Sequence, residues 1–366
     1  MIPFLDLRAS YVELNDEIQN SVLRQLDSGV YILGTEVELF ESEFANFCGT
    51  DHCVGVGNGL DALILALKAL DIGPGDEVIV PSNTYIATWL AVSIVGATPV
   101  PVEPLLSSYC IDPALVEKAI TKRTRAVLPV HLYGHPADMI RLSEICTQNG
   151  LYLISDAAQA HGAYVGQRSV GQLGDIVAWS FYPSKNLGAF GDAGAITTQN
   201  SAIAERVRAL RNYGSSKKYF NKEKGLNSRL DPIQASVLRV KLRCLLDWNS
   251  RRERIANHYI SQLSGLPIGL PSIGADITHA WHVFVVTTPR RDSLQKYLDA
   301  IGISTLIHYP LPPFRQEAYS EFNGRADEWP YADQISKEIL SLPIGPHLSV
   351  SDATFIIDSI KTFFQK

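Results

Sequence analysis

The sequence predicts an α/β protein: a mostly parallel sheet flanked by helices on both faces, followed by a smaller α+β unit. Three observations predict it. From about residue 52 onward, short β-branched runs alternate with segments of helical periodicity. The segments between runs are long enough for right-handed crossovers between parallel strands. After about residue 245 the alternation gives way to one shorter strand, helix and strand, which divides the chain into residues 1–245, with an N-terminal arm, and 246–366.

Each element follows from local pattern. His52 to Val56 reads as a strand that passes through Gly55, Gly57 and Gly59 into a helix. Leu60, Leu63, Ile64, Leu67 and Leu70 of that helix repeat at i, i+3, i+4 spacing. Strands follow at Glu77 to Val80, Thr98 to Val102, Arg125 to Val130 and Leu151 to Ser155. Between them lie helices from Ala87 to Val95, from Pro113 with Asp112 as its N-cap, and from Asp138 to Gln148, stopped by Gly150. Ile176 to Ser180 and Ala195 to Thr198 are further strands. Asp231-Pro232 opens a long helix whose stripe is Ile233, Val237, Val240, Cys244 and Trp248. The last unit reads as His282 to Thr287 (strand), Asp292 to Ala300 (helix) and Ser304 to His308 (strand).

Composition narrows the function. The 366 residues are 46% hydrophobic and 19% charged, with a net charge of −6 and both signs dispersed. No basic field exists to hold a nucleic-acid backbone. The five cysteines, Cys48, Cys53, Cys110, Cys146 and Cys244, are scattered without a CxxC, so neither a disulfide framework nor a metal site is expected. No apolar run approaches the ~18 residues of a membrane span, and the opening residues lack a signal-peptide pattern. The expectation is a soluble cytoplasmic enzyme without a membrane partner.

The chemistry lies in a pair of distant residues. Ligands of open α/β sheets sit beyond the carboxyl ends of the strands, and Asp156 directly follows the strand ending at Ser155. Alone it reads as a cap or a solvated charge. Lys185 stands in a turn after a later strand, within Ser180-Phe-Tyr-Pro-Ser-Lys185. An acid and an amine so placed match the demands of pyridoxal phosphate. The amine forms an imine with its aldehyde, and the acid keeps its pyridine nitrogen protonated. Gly57-Asn-Gly-Leu60 at a helix start offers a phosphate seat, to which Ser180 adds a hydroxyl. Tyr85 is placed to stack on the pyridine ring. A dinucleotide fingerprint is rejected, because Gly55-x-Gly-x-Gly59 misses the last glycine spacing and no acid ends the second strand.

Taken together, these segments resemble the DegT/DnrJ sugar aminotransferases, within the fold-type I pyridoxal phosphate enzymes. The resemblance rests on Pro3-Phe-Leu-Asp6, Ser28 to Gly34, Gly57 to Leu60, Pro81 to Tyr85, Asp156-Ala-Ala-Gln159, Ser180 to Asn186, Gly191 to Gly194, Asn227 to Asp231 and His308-Tyr-Pro310. It implies that Lys185 holds the cofactor, Asp156 pairs with the pyridinium and Gln159 bonds the 3′ oxygen. Gly59, Leu60 and Ser180 would hold the phosphate, joined by Asn227 from a partner subunit, which implies a homodimer with shared active sites. Relatives that dehydrate sugars carry His at the position of Lys185, so this chain resembles the transaminases, with pyridoxamine 5′-phosphate as the intermediate form.

On the substrate side the resemblance points to His308 and Tyr309 at the nucleotide-sugar and to Tyr31 and Tyr182 as sugar contacts. Arg229 is a partner for the sugar diphosphate or the donor's carboxylate. The basic pair Lys217-Lys218 reads as a solvated loop. Phe314, where many relatives have His, removes a polar contact, and Ala193 replaces a common glycine. The implied reaction moves an amino group from L-glutamate to a nucleotide-linked keto-sugar, at C3 of a dTDP-3-keto-6-deoxyhexose. Amination at C4, a UDP-linked sugar, or a non-catalytic regulator of the same fold are the alternatives.

Overall fold

The computed structural model describes residues 1–217, 219–322 and 324–365. Lys218, half of the basic pair, lies outside the described residues. Seven strands form the main sheet: β1 (His52–Val56), β2 (Glu77–Pro81), β3 (Thr98–Val102), β4 (Thr124–Val127), β5 (Tyr152–Asp156), β6 (Ile176–Ser180) and β7 (Gly194–Thr198). Their spatial order is β1-β7-β6-β5-β4-β2-β3. All neighbours are parallel except β7, which runs antiparallel to both β6 and β1. The carboxyl ends of the other six strands therefore share one rim, and the entry to β7 meets them there.

Alternation along the strands separates two cores. Ile176 and Ala178 of β6 join Val54, Val56, Val78, Val80 and Ile154 on one face. Val177 and Trp179 face the other side, where Phe40 and Phe44 pack. The Phe44 ring meets Trp179 edge-on at 5.2 Å and Phe181 at 5.1 Å. The helices that cover these faces are α1 (Leu7–Glu13), α2 (Asn15–Asp27), α3 (Thr35–Cys48), α4 (Gly59–Ala69), α5 (Ile86–Ile94), α6 (Pro113–Ala119), α7 (Met139–Asn149), α8 (Ser201–Leu210) and α9 (Pro232–Leu242). The expected caps are in place: the Asp112 carboxylate accepts from the Ala114 N–H at 2.9 Å and Asp231 from the Ile233 N–H at 2.8 Å. Gly150 closes α7 at φ +63°.

Two expectations are corrected. The helix opened by Pro232 is not continuous: α9 stops at Leu242 and α10 (Leu245–Leu263) starts afresh. The Cys244 N–H bonds the Lys241 carbonyl three residues back, tightening the chain there by a turn too short for an α-helix. Val237, Val240 and Trp248 still share one apolar cluster, against Leu14 and Ile18. Ser304 to His308 is not a strand. Leu306 makes an isolated bridge to Ser341, and Ile303 another to Ile2, so the segment is stitched on both sides but ladders with neither. The partner of β8 (Phe284–Thr287) is instead β9 (Ile339–Leu342), in an antiparallel pair. Helices α10, α11 (Arg291–Ala300) and α13 (Val350–Gln365) surround that pair in a separate cluster. Between α11 and α13 lies α12 (Pro330–Glu338), and the stretch before it packs Phe314, Tyr319, Phe322 and Trp329 against Trp89 of the main unit.

A buried ion pair fixes the strand that carries the glycine loop. Glu41 of α3 accepts from the Gly55 N–H at 2.8 Å and pairs with Arg211, whose Nη1 also donates to the Gly55 carbonyl at 2.6 Å. Glu41→Ala leaves a buried guanidinium unpaired and should cost roughly 3–5 kcal/mol of stability, read from urea unfolding. A loss below about 1 kcal/mol would show that the pair does not hold this edge.

Candidate active site

A cleft of about 520 Å³ opens at the shared rim, and Asp156, Gln159, Ser180, Tyr182, Lys185, Tyr85, Gly59, Leu60, His308 and Tyr309 all line it. Asp156 is the last residue of β5 and is buried. Its Oδ2 accepts from the Thr88 hydroxyl at 3.0 Å and its Oδ1 from the Ala158 N–H at 3.1 Å. Burial pushes its pKa up, offset in part by those bonds and by Lys185. Lys185 sits in the turn between β6 and β7, its N–H bonded to the Tyr182 carbonyl at 2.8 Å. Burial drives its amine down to about 8, with Asp156 pulling the other way. The two groups thus oppose each other's desolvation across one space.

The far end of the cleft is built for an anion. Asn58 caps α4 by accepting from the Asp61 N–H at 2.8 Å, which leaves the Gly59 and Leu60 N–H groups to a ligand. A Cβ on Gly59 would lie 2.6 Å from Ser180 Cβ, so only glycine lets this backbone reach the serine. A bare backbone cradle with a hydroxyl, a half-buried amine and a buried acid in one cleft is the donor set that pyridoxal phosphate requires. The residues fit the group.

Gln159 is held on both sides. Its Oε1 accepts from the Tyr133 N–H at 2.6 Å, and its Nε2 donates to Tyr309 Oη at 3.0 Å, leaving one N–H for a ligand. The Tyr85 and Tyr309 rings are 5.3 Å apart. His308 Nδ1 lies 2.8 Å from Ser341 Oγ.

Three expected residues do not reach the cleft of their own chain. Tyr31 is exposed and donates to the Leu26 carbonyl. Asn227 is exposed, and Arg229 bonds Asn212 Oδ1 at 3.0 Å. Phe314 is buried against Trp329 at 5.0 Å in an aromatic cluster and does not line the cleft. Ala193 is buried at the approach to β7, its carbonyl bonded to the Phe181 N–H. Sequence reasoning missed Thr88, Asn186, Asp192 and His282. Thr88 carried a signal as a hydroxyl inside the apolar run Ile86 to Leu90, and Asn186 and Asp192 lay in the segments that carry the resemblance, but His282 carried none. Among the described residues no cluster of His, Cys, Asp or Glu suits a metal ion, and no helix is long and apolar enough to cross a membrane.

The DegT/DnrJ/EryC1/StrS aminotransferase family profile matches residues 12–361. The chain is 55% identical over its whole length, and over 97% of the relative, to a dTDP-3-amino-3,4,6-trideoxy-α-D-glucose transaminase of Streptomyces venezuelae. It is 51% identical, over 99% of both chains, to a dTDP-3-amino-3,6-dideoxy-α-D-galactopyranose transaminase of Aneurinibacillus thermoaerophilus. The crystal structure of S. venezuelae DesV in complex with a ketimine intermediate superimposes with a TM-score of 0.98 at 55% identity, covering 100% of this chain and 99% of that one.

Several histidines in and beneath the cleft are kept neutral by burial. His161 is pushed down to about 3 and His308 to about 4, while His131 in the adjoining loop is also near 3. Unfolded histidine binds its proton near ~6.5, so each group favours the folded state above that pH. That contribution is lost progressively as pH falls toward the folded values. Stability should drop by up to roughly 1.4 kcal/mol per pH unit for each such histidine below pH ~6.5. Thermal unfolding across that range checks it; a flat profile would contradict it.

Proposed function

The chain belongs to the DegT/DnrJ/EryC1/StrS aminotransferase family, and from that membership we propose that it moves an amino group from L-glutamate to C3 of a dTDP-linked 3-keto-6-deoxyhexose. It is a pyridoxal 5′-phosphate-dependent transaminase. The observation that carries the substrate reading is the identity of over half the residues, along the whole chain, with a relative named for a dTDP-3-amino sugar. The meeting of Lys185, Asp156 and the Gly59–Ser180 cradle in one cleft supports the chemistry.

When bound, pyridoxal phosphate supplies a carbonyl carbon that condenses with amines and a ring that takes up the electron pair left on a substrate carbon. Lys185 Nζ takes the proton from the glutamate α-carbon and, in the second half-reaction, returns one to the sugar carbon. An amine titrating near 8 keeps a useful fraction unprotonated at neutral pH. The Asp156 carboxylate, steadied by Thr88 and Ala158, would keep a proton on the ring nitrogen. The Gly59 and Leu60 amides and the Ser180 hydroxyl would hold the phosphate, Tyr85 would pack against the ring, and Gln159 would give its remaining N–H to the 3′ oxygen. Tyr182, His308 and Tyr309 contact the sugar.

Asn227, Tyr31 and Arg229 serve the second active site of a homodimer: Asn227 at the phosphate, Tyr31 at the sugar, Arg229 at the diphosphate or the donor carboxylate. What supports this is that Tyr31 and Asn227 are exposed outside the cleft of their own chain, Tyr31 between exposed Val30 and Ile32, and that Arg229 lies by the exposed Tyr213 ring. The reading includes a cytoplasmic location, supported by five unpaired cysteines.

Glutamate added to the cofactor-loaded protein should convert its absorbance to that of the aminated cofactor, and a dTDP-3-keto sugar should reverse the change. Lys185→Ala should lose both conversions by at least ~10³-fold while unfolding at the wild-type temperature. A variant that still completed both halves would sink this assignment. Turnover of UDP-linked or 4-keto sugars in place of the dTDP-3-keto sugar would overturn the substrate reading alone.

A further inference from the structure

Lys185 must be released from the cofactor before it can move a proton, and the released amine needs an acceptor inside a buried cleft. Among the described residues its Nζ has no hydrogen-bond partner. His282 lines the same cleft, and its protonation can be deduced. Its Nδ1 lies 3.3 Å from Asn186 Oδ1. Asn186 Nδ2 donates to the Ala280 backbone carbonyl at 2.6 Å and to Asn249 Oδ1 at 2.9 Å. Asn249 is itself oriented by donating Nδ2 to the His161 carbonyl at 2.7 Å. Both N–H groups of Asn186 are used, so its Oδ1 only accepts and His282 carries its proton on Nδ1. Nε2 is left as a lone pair with no partner among the described residues.

The charged and titratable neighbours keep it so. Burial, then the positive charges of Lys185 and Arg252, hold His282 well below the ordinary histidine range, beside His308 and His161. Arg252 donates to the carbonyls of Trp281, His282 and Ile344 and is fixed in place. Asp156 faces Lys185 from β5. A neutral imidazole of locked tautomer can accept a hydrogen bond without competing for the proton.

Resting on the transaminase reading, we infer that His282 is a positioning residue whose Nε2 accepts an N–H of the Lys185 amine once substrate has displaced it. Asn186 acts through His282 by locking the tautomer; the opposite tautomer would present a donor where an acceptor is needed.

The test is a single turnover of the holoenzyme with glutamate, followed by absorbance across the pH range of the Lys185 titration. His282→Phe should slow it roughly tenfold to hundredfold, with apparent glutamate affinity within about threefold and an unchanged resting spectrum. The acid limb should move down by about one pH unit, because losing a neutral acceptor disfavours the ammonium more than the amine. His282→Gln, whose amide oxygen reaches toward the same place, should recover most of the rate, and Asn186→Ala should lose part of it with a shift of the same sign. Wild-type rate and pH profile in His282→Phe, or no recovery in His282→Gln, would overturn the inference. NMR titration of carbon-13-labelled lysine in the full chain loaded with pyridoxamine 5′-phosphate, in which Lys185 is released, tests it independently. Lys185 should titrate lower in His282→Phe than in wild type, and an unchanged midpoint overturns the inference. A wild type indifferent to glutamate counts against the transaminase reading, while the NMR titration still decides His282.

Discussion

The site depends on keeping an amine and a carboxylate out of water at the same rim of one sheet. Desolvation alone would neutralise each: it drives Lys185 down and Asp156 up. What keeps the pair usable is that the polar groups holding it are themselves anchored. Thr88 and Ala158 bind Asp156, Gln159 is anchored by Tyr133 and Tyr309, and the turn bearing Lys185 is tied through Asn186 to α10 and to the segment before β8. Such a network is rigid because an unpaired member would cost as much as several surface contacts supply.

The antiparallel strand β7 is central to this arrangement. By running against its neighbours it delivers Asp192 to the same rim from which β5 and β6 release Asp156 and Ser180. The sheet edge is in turn held by the Glu41–Arg211 pair, so the glycine loop after β1 stays within reach of Ser180. Fold and chemistry share these contacts, and a change at either end is felt at the other.

Much of this was legible in the sequence where a residue's role is set by its own neighbours. Strand β1 was bounded to the residue by its β-branched run and glycines, and the Asp-Pro helix starts were read from caps alone. The sheet, Lys185 and Asp156 followed from strand order and the rim rule. What escaped depends on partners distant in the chain. Ile339 to Leu342 was invisible as the mate of β8 because pairing is decided by register across some fifty residues. Ser304 to His308 carries β-branched residues like a strand, yet its neighbours bridge it only at single residues. His282 and Asn186 looked like ordinary polar residues until the fold brought the amide to the imidazole. Phe314 could not be placed from the sequence either, because the Trp329 ring it packs against is brought to it by the fold.

Lys185 is not the only amine in this protein whose pKa burial lowers. Lys241 is almost fully enclosed and lowered to about 8 by burial, but its Nζ donates to the Gly188 carbonyl at 2.7 Å and faces the Phe190 ring at 4.3 Å. The two therefore provide an internal contrast. Borohydride reduction of the cofactor-loaded protein, followed by proteolysis and peptide mass analysis, reads out directly which amine holds the cofactor. The account predicts a single modified site at Lys185; modification of Lys241 or another lysine in its place would contradict it.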